Sequence, residues 1–147
     1  MNDKLKDDIY FVCTMVEFVA RATNNRRKDV IAKMSKKSIV HELKVAEVNH
    51  CLSMEQISDE WIEQYKIENG KYNTTDKCRY AVPPVTSIGR VYQQLVLATA
   101  EENDVAQAII DVFTSFISDE ISDFNTNVYY SNPDYLKCSY EAGILLA

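Results

Sequence analysis

Apolar residues recur at three- and four-residue steps through most of this chain. Leu5, Ile9, Val12, Cys13, Val16 and Ala20 do so first and predict an amphipathic helix over residues 4–22. "TNN" at 23–25 ends it, and its asparagine side chains suit the cap of the next helix because they accept from free backbone N–H groups. That helix is expected over residues 27–34 with Val30, Ile31 and Met34 inward. A third runs from Ser38 through Ile39, Val40, Leu43 and Ala46 to near Asn49. "SMEQISDEWIEQYKIENG" carries the plainest helix signature. Ser53 and Gln56 have capping-box spacing, Ile57, Trp61 and Tyr65 form a stripe, and Gly70 suits the position just past the end.

The periodicity lapses over "KYNTTDKCRYAVPPV" at residues 71–85, which divides the chain nearly in half. It resumes with Ile88, Val91, Tyr92, Leu95, Val96 and Thr99. "AEENDV" interrupts, and Val105, Ile109, Val112, Phe113, Phe116, Ile117 and Ile121 then predict one long helix over 105–121, with Asp104, Asp111, Asp119 and Glu120 on its polar side. In the tail, Asn132 before Pro133 reads as an N-cap and first helical residue, Asp134 suits the positive end of the helix dipole, and Gly143 with Ile144 suits a Schellman ending. So short a helix is unstable alone. Tyr135, Leu136, Tyr140 and Leu145 must therefore pack on the long helix before it or on a second chain, the latter giving a homodimer. The expected fold is all-α, about seven helices in two abutting units. Residues 1–70 form an N-terminal unit, 71–85 the linker, and 86–147 a helical hairpin with a docked tail helix.

Composition narrows this further. Three glycines and three prolines in 147 residues are too few for the turns of a many-stranded fold, and 46% hydrophobic with 26% charged content suits a folded core. Cys13, Cys51, Cys78 and Cys138 are scattered without C-x-x-C spacing and read as reduced thiols. The apolar run "IYFVCTMVEFVARA" follows the acidic "MNDKLKDD" and contains Glu17, which is wrong for a signal peptide, and it is too short to span a bilayer. A cytoplasmic protein without membrane association is expected.

The net charge of −6 hides an asymmetry, since residues 21–44 hold eight of the sixteen Lys and Arg. Within "RRKDVIAKMSKKSIVHELK", two short helices around "SKK" have a helix-turn-helix cadence. Arg26, Arg27, Lys28, Lys33, Lys36 and Lys37 there are candidate polyanion contacts. No Arg, Asn or Gln lies between Ser38 and Lys44 to read base edges, so any DNA contact would be weakly selective. A solvated helix surface is the plainer reading.

Catalytic chemistry finds no constellation. "HELKVAEVNH" lacks the zincin pattern, because Val45 stands four residues after His41. Glu47 and His50 have the Glu-x-x-His spacing of one half of a di-iron site, but His41 has Ser38 rather than Glu three residues upstream and no third histidine exists to supply the second motif. Asp119 and Asp123, a helical turn apart beside Glu120, read more simply as a solvated face than as acid–base or Mg²⁺ ligands. Neither a metal nor a cofactor is expected.

Taken together, "IYFVCTMVEFVARATNNRRKDVIAKM" and "EVNHCLSMEQISDEWIE" resemble a bacterial domain-of-unknown-function family of small helical domains. The resemblance covers roughly residues 8–66 and puts Glu17, Ala20, Asp29, Val30, His50, Asp59 and Glu60 on the family's recurring positions. It implies a gene neighbour resembling ADP-ribosyltransferases, in a toxin–antitoxin or phage-defence cassette. "ISDEISDFNTNVYYSNPDYLKCSYEAGILL" looks like the small companion proteins of those cassettes. The family supplies no site residues. The function expected is a non-enzymatic protein-interaction module, antitoxin-like, that docks a protein partner through Tyr129, Tyr130, Tyr135 and Tyr140. Removal of residues 129–147 should then abolish binding more than folding. The alternative is a DNA-binding protein using segment 21–44.

Overall fold

Asn2 Oδ1 accepts from the Leu5 N–H at 2.8 Å and starts α1 (Asp3–Thr23), whose apolar stripe is buried along its length. In the computed structural model, which describes residues 1–147, this is the first of eight α-helices, and no strand is present. The others are α2 (Arg27–Ala32), α3 (Lys36–Asn49), α4 (Met54–Gln64), α5 (Val85–Thr99), α6 (Val105–Thr114), α7 (Ile117–Ser122) and α8 (Pro133–Ala142), with a 3₁₀ turn at Val128–Tyr130. The all-α expectation is met.

Helix α1 is the hub. It packs on α2, α3 and α4 from its own half and, most extensively, on α5 from the other. A single cluster of 29 buried hydrophobic residues draws on both halves, with Trp61, Tyr92 and Phe113 among its largest members. Tyr92 and Phe113 stack at 4.1 Å and 28°, tying α5 to α6. Residues between α4 and α5 do not hang free. Gly70 and Tyr72 donate backbone bonds of 2.8 Å each to Thr23 and Asn24 carbonyls, and the Arg79 N–H donates to Asn125 Oδ1 at 2.8 Å.

Several local expectations are corrected. The asparagines of "TNN" close α1 rather than cap α2. Asn24 is its left-handed C-cap at φ 55°, and Asn25 Nδ2 donates to Thr23 Oγ1 and the Glu68 carbonyl. Helix α3 begins earlier than Ser38, because Ser35 Oγ accepts from the Ser38 N–H at 3.1 Å. Helix α4 has the expected capping box, with Ser53 and Gln56 bonded reciprocally, but it ends well before Gly70. Lys66 takes the left-handed conformation instead, at φ 53°, and turns Ile67 back into the core.

The helix expected over 105–121 is two helices. Ser115 is extended (ψ 170°), and its hydroxyl both donates to the Val112 carbonyl at 2.7 Å and accepts from the Ile117 N–H at 3.3 Å. A serine that bonds its neighbours' backbone in this way competes with the helical ladder. Helix α8 keeps all its expected caps. Asn132 Oδ1 accepts from Asp134, Pro133 opens the helix, and Gly143 at φ 77° closes it with the Ile144 N–H bonded to the Ser139 carbonyl. Helix α8 packs mainly on α5, and its Tyr140 and Glu141 also border Ala108 and Asp111 of α6, within the segment expected as the long helix. The tail therefore docks within its own chain.

Two buried polar networks sit inside the core. Glu17, fully buried, receives Arg27 through two bonds of 2.8 and 2.5 Å and Arg21 through one of 2.6 Å. Burial alone would raise the Glu17 pKa, yet the Arg27 and Arg21 charges outweigh it and hold the carboxyl below its ordinary value. Both guanidiniums lie over the Phe124 ring, Arg21 at 4.9 Å and Arg27 at 5.9 Å. Glu42 of α3 accepts from Trp61 Nε1 at 3.2 Å and from the Tyr65 hydroxyl, joining α3 to α4. Burial and that carboxylate together push the Tyr65 phenol pKa up.

Candidate functional site

The tyrosines of the tail divide into two groups. Tyr129 stands edge-on to buried Phe124 (5.7 Å, 90°), and Tyr130 stands edge-on to Tyr129 (4.9 Å, 77°). These rings, with Tyr80 and the polar Asn125, Thr126 and Asn127, line a groove of ≈ 540 Å³. Tyr80 is 63% exposed and Tyr130 67% exposed, so both present ring surface to solvent while Phe124 anchors the floor. Tyr135 and Tyr140 lie elsewhere. The Tyr135 hydroxyl donates to the Leu146 carbonyl at 2.7 Å, and Tyr140 borders a separate hollow with Gln107 and Asp111. Burial first, then the charges of Asp111 and Glu141, raises the Tyr140 pKa.

Tyr80 was not legible as a site residue. Its only signal is an aromatic placed before a Pro pair in an aperiodic stretch. What brings it to the tail is the Arg79 bond to Asn125, together with the Cys78 thiol against the Phe124 carbonyl at 3.7 Å. Nor can the tail be removed cleanly. Leu136 and Ser139 of α8 are buried, and Leu136 belongs to the core cluster. Deleting residues 129–147 should therefore destabilise the fold by about 2–5 kcal/mol, since exposing one buried Leu position alone costs about that much. Urea unfolding of the deletion and parent chains measures the difference.

The basic segment is largely neutralised from within. Arg27 is buried on Glu17, Arg26 pairs with Asp119 at 2.8 Å and stacks over Tyr72 at 4.2 Å, Lys28 reaches the same carboxylate at 3.5 Å, and Lys36 pairs with Asp104 at 2.9 Å. Lys33 and Lys37 remain exposed and make no ion pair. The six residues do not converge on one free cationic face, and Asp119 is a partner of the basic helix α2. Asp123 serves its own turn, accepting from the Asn125 N–H at 3.2 Å.

A second concavity lies where the first turns of α1 meet the end of α3 and the start of α4. Lys4, Asp7, Asp8, Tyr10, Phe11, Glu47, His50 and Met54 are among its lining residues, and its volume is ≈ 570 Å³. Glu47 and His50 thus share a cleft, with Asp7 and Asp8 as companions that sequence spacing did not suggest. Lys4 Nζ donates to Asp8 Oδ2 at 2.7 Å, and this bond raises the Lys4 pKa. The four cysteines are unpaired, and burial pushes the Cys13 thiol pKa up, away from reactive thiolate.

Fold and surface together define an all-helical protein with an aromatic groove and a carboxylate-lined cleft, in which no helix is long and apolar enough to cross a membrane. Comparison of the chain with protein-family models, with curated proteins and with solved structures gives no significant match.

Proposed function

We propose that this protein is a protein-interaction module whose docking surface is the groove between Tyr80 and Tyr130, and that it serves as an antitoxin-like partner of another protein. One observation carries the reading. Two largely exposed tyrosines, from segments fifty residues apart, line one groove together with the Phe124–Tyr129 edge contact. Aromatic anchors with few rotatable bonds dominate binding energy at protein interfaces. The partner class is the one the family resemblance implies, an ADP-ribosyltransferase-like protein encoded alongside, with both proteins in the cytoplasm.

The test is a tagged pull-down from lysate of the source organism, followed by titration of the captured protein against variants. Tyr80→Ala and Tyr130→Ala should each weaken binding by roughly tenfold or more, the loss typical of an interface hot spot. Far-UV circular dichroism should stay that of the parent, because neither side chain is in the core. Undiminished binding by the folded double variant removes the groove from the interface. A nuclease-sensitive eluate in place of a stoichiometric protein would favour the nucleic-acid reading and direct attention to Lys33 and Lys37.

A further inference from the structure

The α1–α3–α4 cleft has a charge that its own lysine only partly offsets. Three carboxylates, Asp7, Asp8 and Glu47, face one ammonium, Lys4, beside the apolar surfaces of Phe11 and Met54. Its ≈ 570 Å³ lies within the span of about 300–1,000 Å³ usual for small-molecule sites. Asp8 is buried, and a buried carboxylate needs a cation or several hydrogen bonds to stay charged. Lys4 supplies the cation, bridging Asp8 at 2.7 Å and Glu47 at 3.7 Å, while its own side chain is 57% exposed.

A lysine held that way is an occupant of the position rather than a fixed wall, since its four-carbon stem can swing into solvent at little cost. His50, which also lines the cleft, is held in place by its Nδ1 at 2.6 Å from the Glu47 carbonyl oxygen. Phe11 and Met54 line the same cleft as the carboxylates, so a cation that also carries an apolar body has a complementary surface on both of its parts.

We propose that the cleft binds a small organic ammonium ion with an apolar body, whose charged end takes the place between Asp8 and Glu47 that the Lys4 ammonium fills. The apolar body lies along Phe11 and Met54. Lys4 acts as a built-in competitor that keeps the buried Asp8 neutralised when the cleft is otherwise empty. The site shares no lining residue with the aromatic groove and does not depend on the partner reading.

Isothermal titration calorimetry of the full chain at low ionic strength tests this, with 4-phenylbutylammonium as probe and 4-phenylbutanol as its uncharged match. Saturable binding of the ammonium is expected, with the alcohol roughly tenfold weaker or worse, the scale of one lost charge-assisted hydrogen bond. Asp8→Asn should cost the ammonium a loss of about the same size, and Lys4→Met should tighten it several-fold by removing the competitor. Equal binding of the alcohol, unchanged affinity in Asp8→Asn, or no binding by either the parent or Lys4→Met at millimolar probe would overturn the proposal. Should Asp8→Asn fail to fold, Glu47→Gln replaces it, because that carboxylate is 67% exposed and outside the core. Affinity in Glu47→Gln equal to the parent's would then count against the site.

Discussion

Replacing Glu17 with leucine is expected to destabilise the protein by about 3–5 kcal/mol, the cost of leaving a buried charge without its partner. The stranded group is Arg27, which is 1% exposed and donates both of its side-chain bonds to Glu17. An arginine cannot escape by giving up its proton, so the penalty falls in full on the folded state. The converse change is milder. In Arg27→Met the carboxylate keeps the Arg21 bond at 2.6 Å, and it can also neutralise itself by protonation. The double variant Glu17→Leu with Arg27→Met should recover most of the single-variant loss, because replacing both ends of a buried pair by apolar groups is often close to neutral. Urea unfolding of the three variants decides the matter. A Glu17→Leu chain within about 1 kcal/mol of the parent, the range of a surface ion pair, would mean that the triad is hydrated.

The same carboxylate gives stability an acid limb. Its folded pKa lies below the ordinary value, so the unfolded chain takes up the proton first. The contribution is fully present above the unfolded value of about 4.3 and is lost as pH falls through the lower folded value. Parent and Arg27→Met chains should therefore diverge most near neutral pH and converge in acid. A difference that stays constant from pH 7 to pH 3 would assign the destabilisation to packing alone.

The helices were legible because helix-forming signals are local. The stripe of α1, the capping box of α4 and the Asn132–Pro133 to Gly143 frame of α8 each lie within a few turns of chain, and all three are present. The break between α6 and α7 was hidden, because an apolar run from Ile109 to Ile121 keeps its period whether or not Ser115 diverts a backbone bond. Sites failed for a different reason. The groove joins Tyr80 to Tyr130, the cleft joins Lys4 to Glu47, and the charge of "RRK" is absorbed by Glu17 and Asp119. Such pairings follow from how helices cross, and side-chain period along one helix does not encode its neighbour's position. Charge counting along the sequence consequently overstated the free basic surface of segment 21–44.

The helix crossing on which both halves depend is also a place where one methyl group will do damage. Gly89 of α5 faces Thr14 of α1, and a Cβ added there would lie 1.9 Å from Thr14 Oγ1 and 2.9 Å from Thr14 Cα. In an isolated helix Gly89→Ala would gain about 1 kcal/mol of propensity. Here the expected result is a net loss of about 2 kcal/mol or more, because over-packing at a crossing of backbones cannot be relieved by a rotamer change. The Thr14 hydroxyl can be trimmed away, but the Cα belongs to the helix itself. Gly89→Ala with Thr14→Ala should thus recover only part of the loss, and α1 must still move away from α5 by roughly 1 Å to restore carbon–carbon contact. Gly143→Ala provides the contrast. That glycine meets nothing within 4 Å, so its replacement costs only the left-handed backbone strain of about 1 kcal/mol. Thermal unfolding should rank Gly89→Ala well below Gly143→Ala. The reverse order would mean that α1 and α5 are not in close backbone contact, and that the core is divided at this crossing rather than shared across it.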